Sequence, residues 1–234
     1  MIARDGWSLI LIGLFLTVVA LWVATRWDSR TALMVSVVFA LLTVFTVFFF
    51  RDPARSAILE PGAMMAPADG RIVKIDTLAV HPYVGAGTIQ VSIFLSIFDV
   101  HINRVPTAGK IGYVKYNPGK FFAAYEDKAS EENEQTEIGM TTETGQRIAF
   151  KQIAGLIARR IVCRLSKGDQ VATGERFGLI KFGSRTDLLL PAGSRVTVQL
   201  GQHVKGGETI IGFIGPAQSS SAAPEAAGGS HAEL

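Results

Sequence analysis

Two stretches without a charged side chain, Trp7 to Thr25 and Thr31 to Phe50, constrain this chain more than any other feature. Each is about 20 residues long, enough to cross the hydrocarbon of a bilayer as a helix. Only Arg26-Trp27-Asp28-Ser29-Arg30 separates them, so residues 1–50 read as a tight membrane-associated helical hairpin. Trp7, Trp22 and Trp27 fall near the run ends, where interfacial aromatic rings are favoured. The first run has no small-residue cleavage site and a second follows at once, so it reads as retained rather than as a signal peptide. Arg4, Arg51 and Arg55 oppose Arg26 and Arg30, a slight bias that places both termini in the cytoplasm and the hairpin in the cell (inner) membrane.

After Phe50 the pattern changes. Residues 51–215 carry short apolar runs cut by glycine and proline, the signature of many short strands. The expected strands are Gly70–Ile75, Ile89–Leu95, Gly109–Tyr116, Gln146–Gln152, Ile161–Leu165, Phe177–Phe182, Asp187–Leu190 and Val196–Leu200. A short echo supports a repeated hairpin: Gly168, Val171, Gly174 and Glu175 recur in the same spacing as Gly201, Val204, Gly207 and Glu208. The fold class is therefore mainly β, a barrel-sandwich of the lipoyl/biotinyl-carrier type behind an N-terminal hydrophobic helical hairpin. Tyr125 to Thr144, strongly polar, reads as a surface loop or short helix, and residues 216–234 as a disordered tail.

Composition excludes some functions. The net charge of +3 comes from scattered basic residues, with no block that reads as a nucleic-acid footprint. A mild positive balance beside an apolar hairpin suits an anionic lipid surface. Cys163 is the single cysteine, in a strand pattern where it fills core space, and one cysteine forms no internal disulfide. No spacing suggests a metal site.

Several clusters could carry chemistry. Pro67-Ala68-Asp69-Gly70-Arg71 puts an acid in a turn before a strand. Phe98-Asp99-Val100-His101-Ile102-Asn103-Arg104 gathers an acid, an imidazole, an amide and a guanidinium; if extended, Asp99, His101 and Asn103 share one face. From spacing alone His101 is open to two readings, a general acid or base and a structural hydrogen-bonding residue. Asn117-Pro118-Gly119-Lys120-Phe121 is a hairpin corner or a substrate-facing loop. Gly183-Ser184 lies between two apolar runs. Most such pairs are turns, but a serine hydroxyl can attack the preceding carbonyl and convert the amide to an ester, and glycine leaves that attack unhindered.

In this order the motifs closely resemble the phosphatidylserine decarboxylase family in its short bacterial proenzyme form. The resemblance rests on the hairpin, on Ala66-Pro67-Ala68-Asp69-Gly70, on Phe94 through Pro106, on Asn117 through Phe121, on Glu131-Glu132-Asn133-Glu134 and on Phe182-Gly183-Ser184-Arg185. It implies that a β chain, 1–183, separates by self-cleavage from an α chain, 184–234, and that the two remain assembled. Ser184 becomes a pyruvoyl group, the only cofactor required, which forms a Schiff base with the amine of phosphatidylserine so that carbon dioxide can leave and phosphatidylethanolamine form. Asp69 and His101 assist as catalytic residues, and Arg104, Arg185 and Asn103 are candidates for substrate binding. A homo-oligomer is compatible with it. The chain departs from the long bacterial form in two places: Arg104 stands where that form has a second histidine, and Arg185 where it has a threonine. The residue that activates Ser184 is therefore left open. Two other readings remain at this point, a membrane-anchored carrier without an obvious attachment lysine and a Ser184–His101 hydrolase without a Gly-x-Ser-x-Gly elbow.

Overall fold

A computed structural model describes residues 1–58, 60–120, 122, 132–155, 160–181 and 183–215. The tail call at 216–234, Phe121, Glu131 and Phe182 fall outside the described residues. A 3-10 turn (Arg4–Gly6) leads into α1 (Trp7–Arg26) and α2 (Arg30–Phe49), the expected hairpin. Ser29 Oγ accepts from the Ala32 N–H at the start of α2. Within the helices the hydroxyls of Thr17, Ser36, Thr43 and Thr46 all donate back to carbonyls three or four residues earlier. Nothing but the two helices covers most of their apolar side chains, so Leu11, Ile12, Phe15, Leu41 and Val44 stay exposed.

Fourteen strands follow among the described residues, joined by turns and irregular segments: β1 (Ala63–Met65), β2 (Gly70–His81), β3 (Gly85–Leu95), β4 (Ile102–Arg104), β5 (Gly109–Asn117), β6 (Gln135–Thr142), β7 (Arg147–Ala154), β8 (Ile161–Cys163), β9 (Gln170–Val171), β10 (Arg176–Ile180), β11 (Ser184–Leu190), β12 (Arg195–Val196), β13 (His203–Val204) and β14 (Ile210–Phe213). Eight form one curled antiparallel sheet in the order β13-β2-β3-β11-β7-β6-β5-β9; β1-β14-β12 and β4-β10-β8 are two smaller sheets. The expectation of a mainly β body of barrel-sandwich type behind a helical hairpin is met.

That order is its own mirror image, and the echo in the sequence is one part of an internal duplication. Gly70 and Arg71 pair with Val204 and His203, as Gly109 and Lys110 pair with Val171 and Gln170. The Gly207 N–H donates to the Ala66 carbonyl where the Gly174 N–H donates to the Val105 carbonyl. Gly212 sits between Met64 and Val196 as Gly178 sits between Asn103 and Cys163. Ile93 and Met140 match as partners of Ile72 and Ile111, which makes their outer partners, Thr186 and Ile148, matches too. Two residues on, Leu188 matches Phe150, and these two are paired with each other, so the pseudo-twofold axis runs between them. One half is continuous, β4 to β10; the other is split into β1–β3 and β11–β14.

Three expectations need correction. Gln135–Thr142, placed in the polar loop, is β6 in the middle of the large sheet. Its buried residues Ile138 and Met140 fill the core, and its one acid, Glu137, is held by Lys151 at 2.9 Å and by the Tyr113 hydroxyl, so the charges misled the reading. The strand expected at Val196–Leu200 is shorter and starts one residue earlier, β12 at Arg195–Val196, with Thr197 adding a last N–H bond to the Ile211 carbonyl at 2.9 Å. Asp99 does not share an extended face with His101 and Asn103: its carboxylate accepts from the Ser96 N–H and hydroxyl at 2.8 and 2.7 Å, closing a turn, and the strand begins only at Ile102. The core runs between the two halves through Ile72, Ile93, Ile111, Ile138, Phe150, Phe177 and Leu188.

Phe150 is fully buried at the pseudo-axis. Phe150→Ala should lower unfolding free energy by about 3–5 kcal/mol in a denaturant titration, whereas Leu200→Ala at the exposed surface should change it by less than about 0.5 kcal/mol.

Candidate active site

Gly183 and Ser184 lie where the chain crosses from β10 to β11. Ser184 is the first residue of β11, paired with Leu95 on one side and Ala154 on the other, and it is fully buried. Gly183 adopts φ +65°, a backbone that favours glycine.

His101 immediately precedes β4. Its Nδ1 faces the Asp99 carbonyl at 3.0 Å and its Nε2 faces the Gly183 N–H at 3.3 Å. That arrangement selects the neutral tautomer with the proton on Nδ1, leaving Nε2 to accept. The ring packs on Phe49, centroids 4.2 Å apart. Burial, opposed by the Asp99 carbonyl and carboxylate, lowers its pKa to about 4. Near neutral pH, then, an uncharged imidazole offers a lone pair beside the Gly183–Ser184 bond.

Asp69 stands in the turn before β2. It accepts from Gly206 N–H at 2.8 Å and pairs with Arg55 at 2.8 Å; Arg55 also reaches Glu208 at 2.9 Å. Burial raises its pKa, with the Gly206 bond and the Arg55 charge working against that. The partner of His101 is the Asp99 backbone, while Asp69 holds the 205–207 turn against the segment after α2. A cavity of about 460 Å³ opens beside Asp69, with Arg51, Arg55 and Lys205 in its wall.

The other candidates are each held by partners of their own. Arg104 donates to the carbonyls of Gly174 and Pro53 and pairs with Asp52 at 3.3 Å. Arg185 is buried on the opposite face of β11 from Ser184, where it pairs with Asp187 at 2.7 Å and donates to Ser92 Oγ at 2.6 Å. Both guanidinium groups spend donors internally. Asn103 lies in β4, two residues after His101, and its Oδ1 accepts from Gln152 Nε2 at 2.8 Å. Among the described residues no cluster of three His, Cys, Asp or Glu side chains is placed to hold a metal ion.

The pseudo-twofold supplies an internal control. A cavity of about 650 Å³ occupies the pseudo-twofold-related place, lined by Gly62 and Ala108 where the first place has His101 and Asp69. Gly145 and Gln146 in the β6–β7 turn match Gly183 and Ser184. The imidazole, the acid and the serine are therefore found at one of the two related places only, His101 coming from the β4–β10 half and Asp69 and Ser184 from the split half.

The sequence profile described as phosphatidylserine decarboxylase matches residues 42–212. A phosphatidylserine decarboxylase proenzyme from Desulfotalea psychrophila is 42% identical over 91% of this chain and 96% of its own length. Proenzymes of the same name from Symbiobacterium thermophilum and Chlorobium phaeobacteroides are 45% and 49% identical, over 91% and 74% of this chain and 95% and 80% of theirs. The chain belongs to the phosphatidylserine decarboxylase family. It is thus a carboxy-lyase.

Sequence reasoning missed two contributors to this decarboxylase site. Phe49 is the last residue of α2, indistinguishable in the sequence from the apolar residues before it, yet its ring forms the wall behind His101. Arg55 follows in Arg51-Asp52-Pro53-Ala54-Arg55, a charged run directly after the hairpin that could have been read as a second signal.

Because the folded chain resists protonating His101, the unfolded chain binds the extra proton between about pH 6.5 and pH 4, and stability falls as pH drops through that window. In detergent and in a Ser184→Ala background, His101→Gln should remove about 2 kcal/mol of the loss between pH 7 and pH 5. Equal slopes with and without the imidazole would show that His101 titrates normally.

Proposed function

We propose that this decarboxylase converts phosphatidylserine to phosphatidylethanolamine at a membrane surface, with a pyruvoyl group made from Ser184 by cleavage of the Gly183–Ser184 bond. The observation that carries this reading is the placement of His101 Nε2 against Gly183 N–H, beside a buried serine whose hydroxyl has no partner among the described residues. The proenzyme names of the relatives agree with it.

The hydroxyl of Ser184 attacks the Gly183 carbonyl carbon; His101 Nε2 takes its proton and returns it to the departing Ser184 nitrogen, leaving an ester. Loss of the Ser184 Cα proton then breaks the Cβ–Oγ bond, which leaves Gly183 as a carboxylate and residue 184 as a dehydroalanine. Water adds and ammonia leaves, which yields the ketone. The residues fit such a terminus: β11 is held on both sides, so residue 184 stays in place once the bond is cut. The pyruvoyl group supplies an electrophilic carbonyl and a neighbouring one that accepts electrons as carbon dioxide leaves. Beside it His101 holds or delivers a proton at Nε2, while Asp69 fixes the turn that carries Lys205. The cavity walled by Arg51, Arg55 and Lys205 suits the phosphate and carboxylate of an anionic head group.

The hairpin explains how a lipid reaches this site. Both helices are long and apolar enough to cross a membrane, and their base is joined to the β-rich residues 51–215 by Ala3 N–H to Phe50 carbonyl and Asp52 N–H to Met1 carbonyl. Around that base lie Arg51, Arg164 paired with Asp5, Arg176 paired with Asp52, and Lys181 over Phe50. This basic rim favours the cytoplasmic face.

A denaturing gel and intact mass should show two chains split after Gly183, which remain together under native conditions, the smaller one blocked to N-terminal sequencing. Ser184→Ala should give a single chain without decarboxylase activity. A whole chain from the unaltered sequence, or lipid decarboxylation by Ser184→Ala, would overturn the proposal.

A further inference from the structure

Five buried side-chain polar atoms lack a hydrogen-bond partner among the described residues, and four of them belong to one cluster: Asn103 Nδ2, Gln152 Oε1, Ser184 Oγ and Thr186 Oγ1. Ser184 and Thr186 project from the same face of β11, and Gln152 stands directly opposite Thr186 on β7. The Gln152 amide reaches across Gly178, where a Cβ would come within 2.9 Å of its Nε2, and donates to Asn103 Oδ1 at 2.8 Å and the Val162 carbonyl at 3.2 Å. The cluster is thus built, held in orientation, and left with both donors and acceptors unsatisfied around one hydroxyl.

The pseudo-twofold-related place shows that the fold does not need this polarity. The residues matching Asn103, Thr186 and Gln152 are Met64, Ile148 and Leu190, all buried in the hydrophobic core. The same three places, in the same register, are apolar where there is no serine to process. Burying unpaired amides and hydroxyls is unfavourable, so their presence at one of the two related places alone points to a partner that forms there in another state of the molecule.

We propose that Asn103, Gln152 and Thr186 are positioning residues for position 184. The Thr186 hydroxyl and the Asn103–Gln152 amide pair receive the Ser184 hydroxyl and aim it at the Gly183 carbonyl carbon, and the same groups hold the oxygen of the ketone that replaces it. This rests on the self-cleavage reading above. The step they serve forms the Oγ–C bond and breaks the C–N bond, the hydroxyl proton passing through His101 Nε2 to the freed nitrogen.

The test is to give this cluster the residues of its pseudo-twofold twin: Asn103→Met, Thr186→Ile and Gln152→Leu together, and Thr186→Val alone as the near-isosteric variant that decides the matter if the triple change does not fold. The time course of the smaller chain on a denaturing gel, with hydroxylamine added to trap any ester, should show cleavage slowed by about tenfold or more. The thermal midpoint should stay equal or rise, and Thr186→Ser should restore the rate. Cleavage of Thr186→Val at the rate of the unaltered chain overturns this proposal and leaves self-cleavage standing. An unaltered chain that stays whole overturns both.

Discussion

Strand β11 is hydrogen bonded along both edges, to β3 from Ser184–Leu95 through Leu190–Ile89 and to β7 from Ser184–Ala154 through Leu189–Ala149. Every residue of it is buried. The two halves of the molecule meet at this strand, since β3 belongs to one and β7 to the other, and the pairing of Leu188 with Phe150 marks the axis between them. An edge strand that began with Ser184 would fray and move the hydroxyl. A central one fixes it, and leaves its inner face for the Asn103–Gln152–Thr186 cluster and its other face for the Arg185–Asp187 pair.

The candidate site and the apolar hairpin share a wall. Phe49 and Phe50 close the helical hairpin and pack with Ala3, Val100, Ile102 and Leu179, so one small apolar cluster joins α2, the turn that carries His101, and β10. The burial that keeps the imidazole neutral comes in part from the last turn of α2. A lipid held beside the hairpin base is therefore already next to the groups that would act on it.

Much of the fold was legible in the sequence. The hairpin follows from two runs without charge, and most strands from glycine-bounded apolar alternation. What hid was pairing. Gln135–Thr142 carries an acid that looks like surface until Lys151 and Tyr113 are placed beside it. The duplication was visible only at Gly168 and Gly201, because elsewhere matching positions hold different chemistry, as Asn103 does against Met64. At the site, Gly183-Ser184 and His101 stood out as residue types, whereas the environment that makes them a unit did not. Phe49 is one phenylalanine among several, and Thr186 and Gln152 are ordinary strand residues until their empty hydrogen-bonding positions are seen. Asp99 bonds His101 through its backbone, which leaves no trace in residue identity.

The split half of the duplication has a consequence for how such a molecule ages. Before processing, β11–β14 are tied to β1–β10 by one covalent link at the crossover. Once that link opens as proposed, the half made of β1–β3 and β11–β14 becomes an association of two polypeptides, threaded through two sheets. Unfolding then releases a free fragment, and refolding becomes a bimolecular encounter that depends on concentration. The peptide bond and the serine hydroxyl used to make the reactive group are then gone, so a separated fragment cannot rejoin the chain covalently, and the lifetime of the matured enzyme would be set by the rate at which a buried central strand lets go.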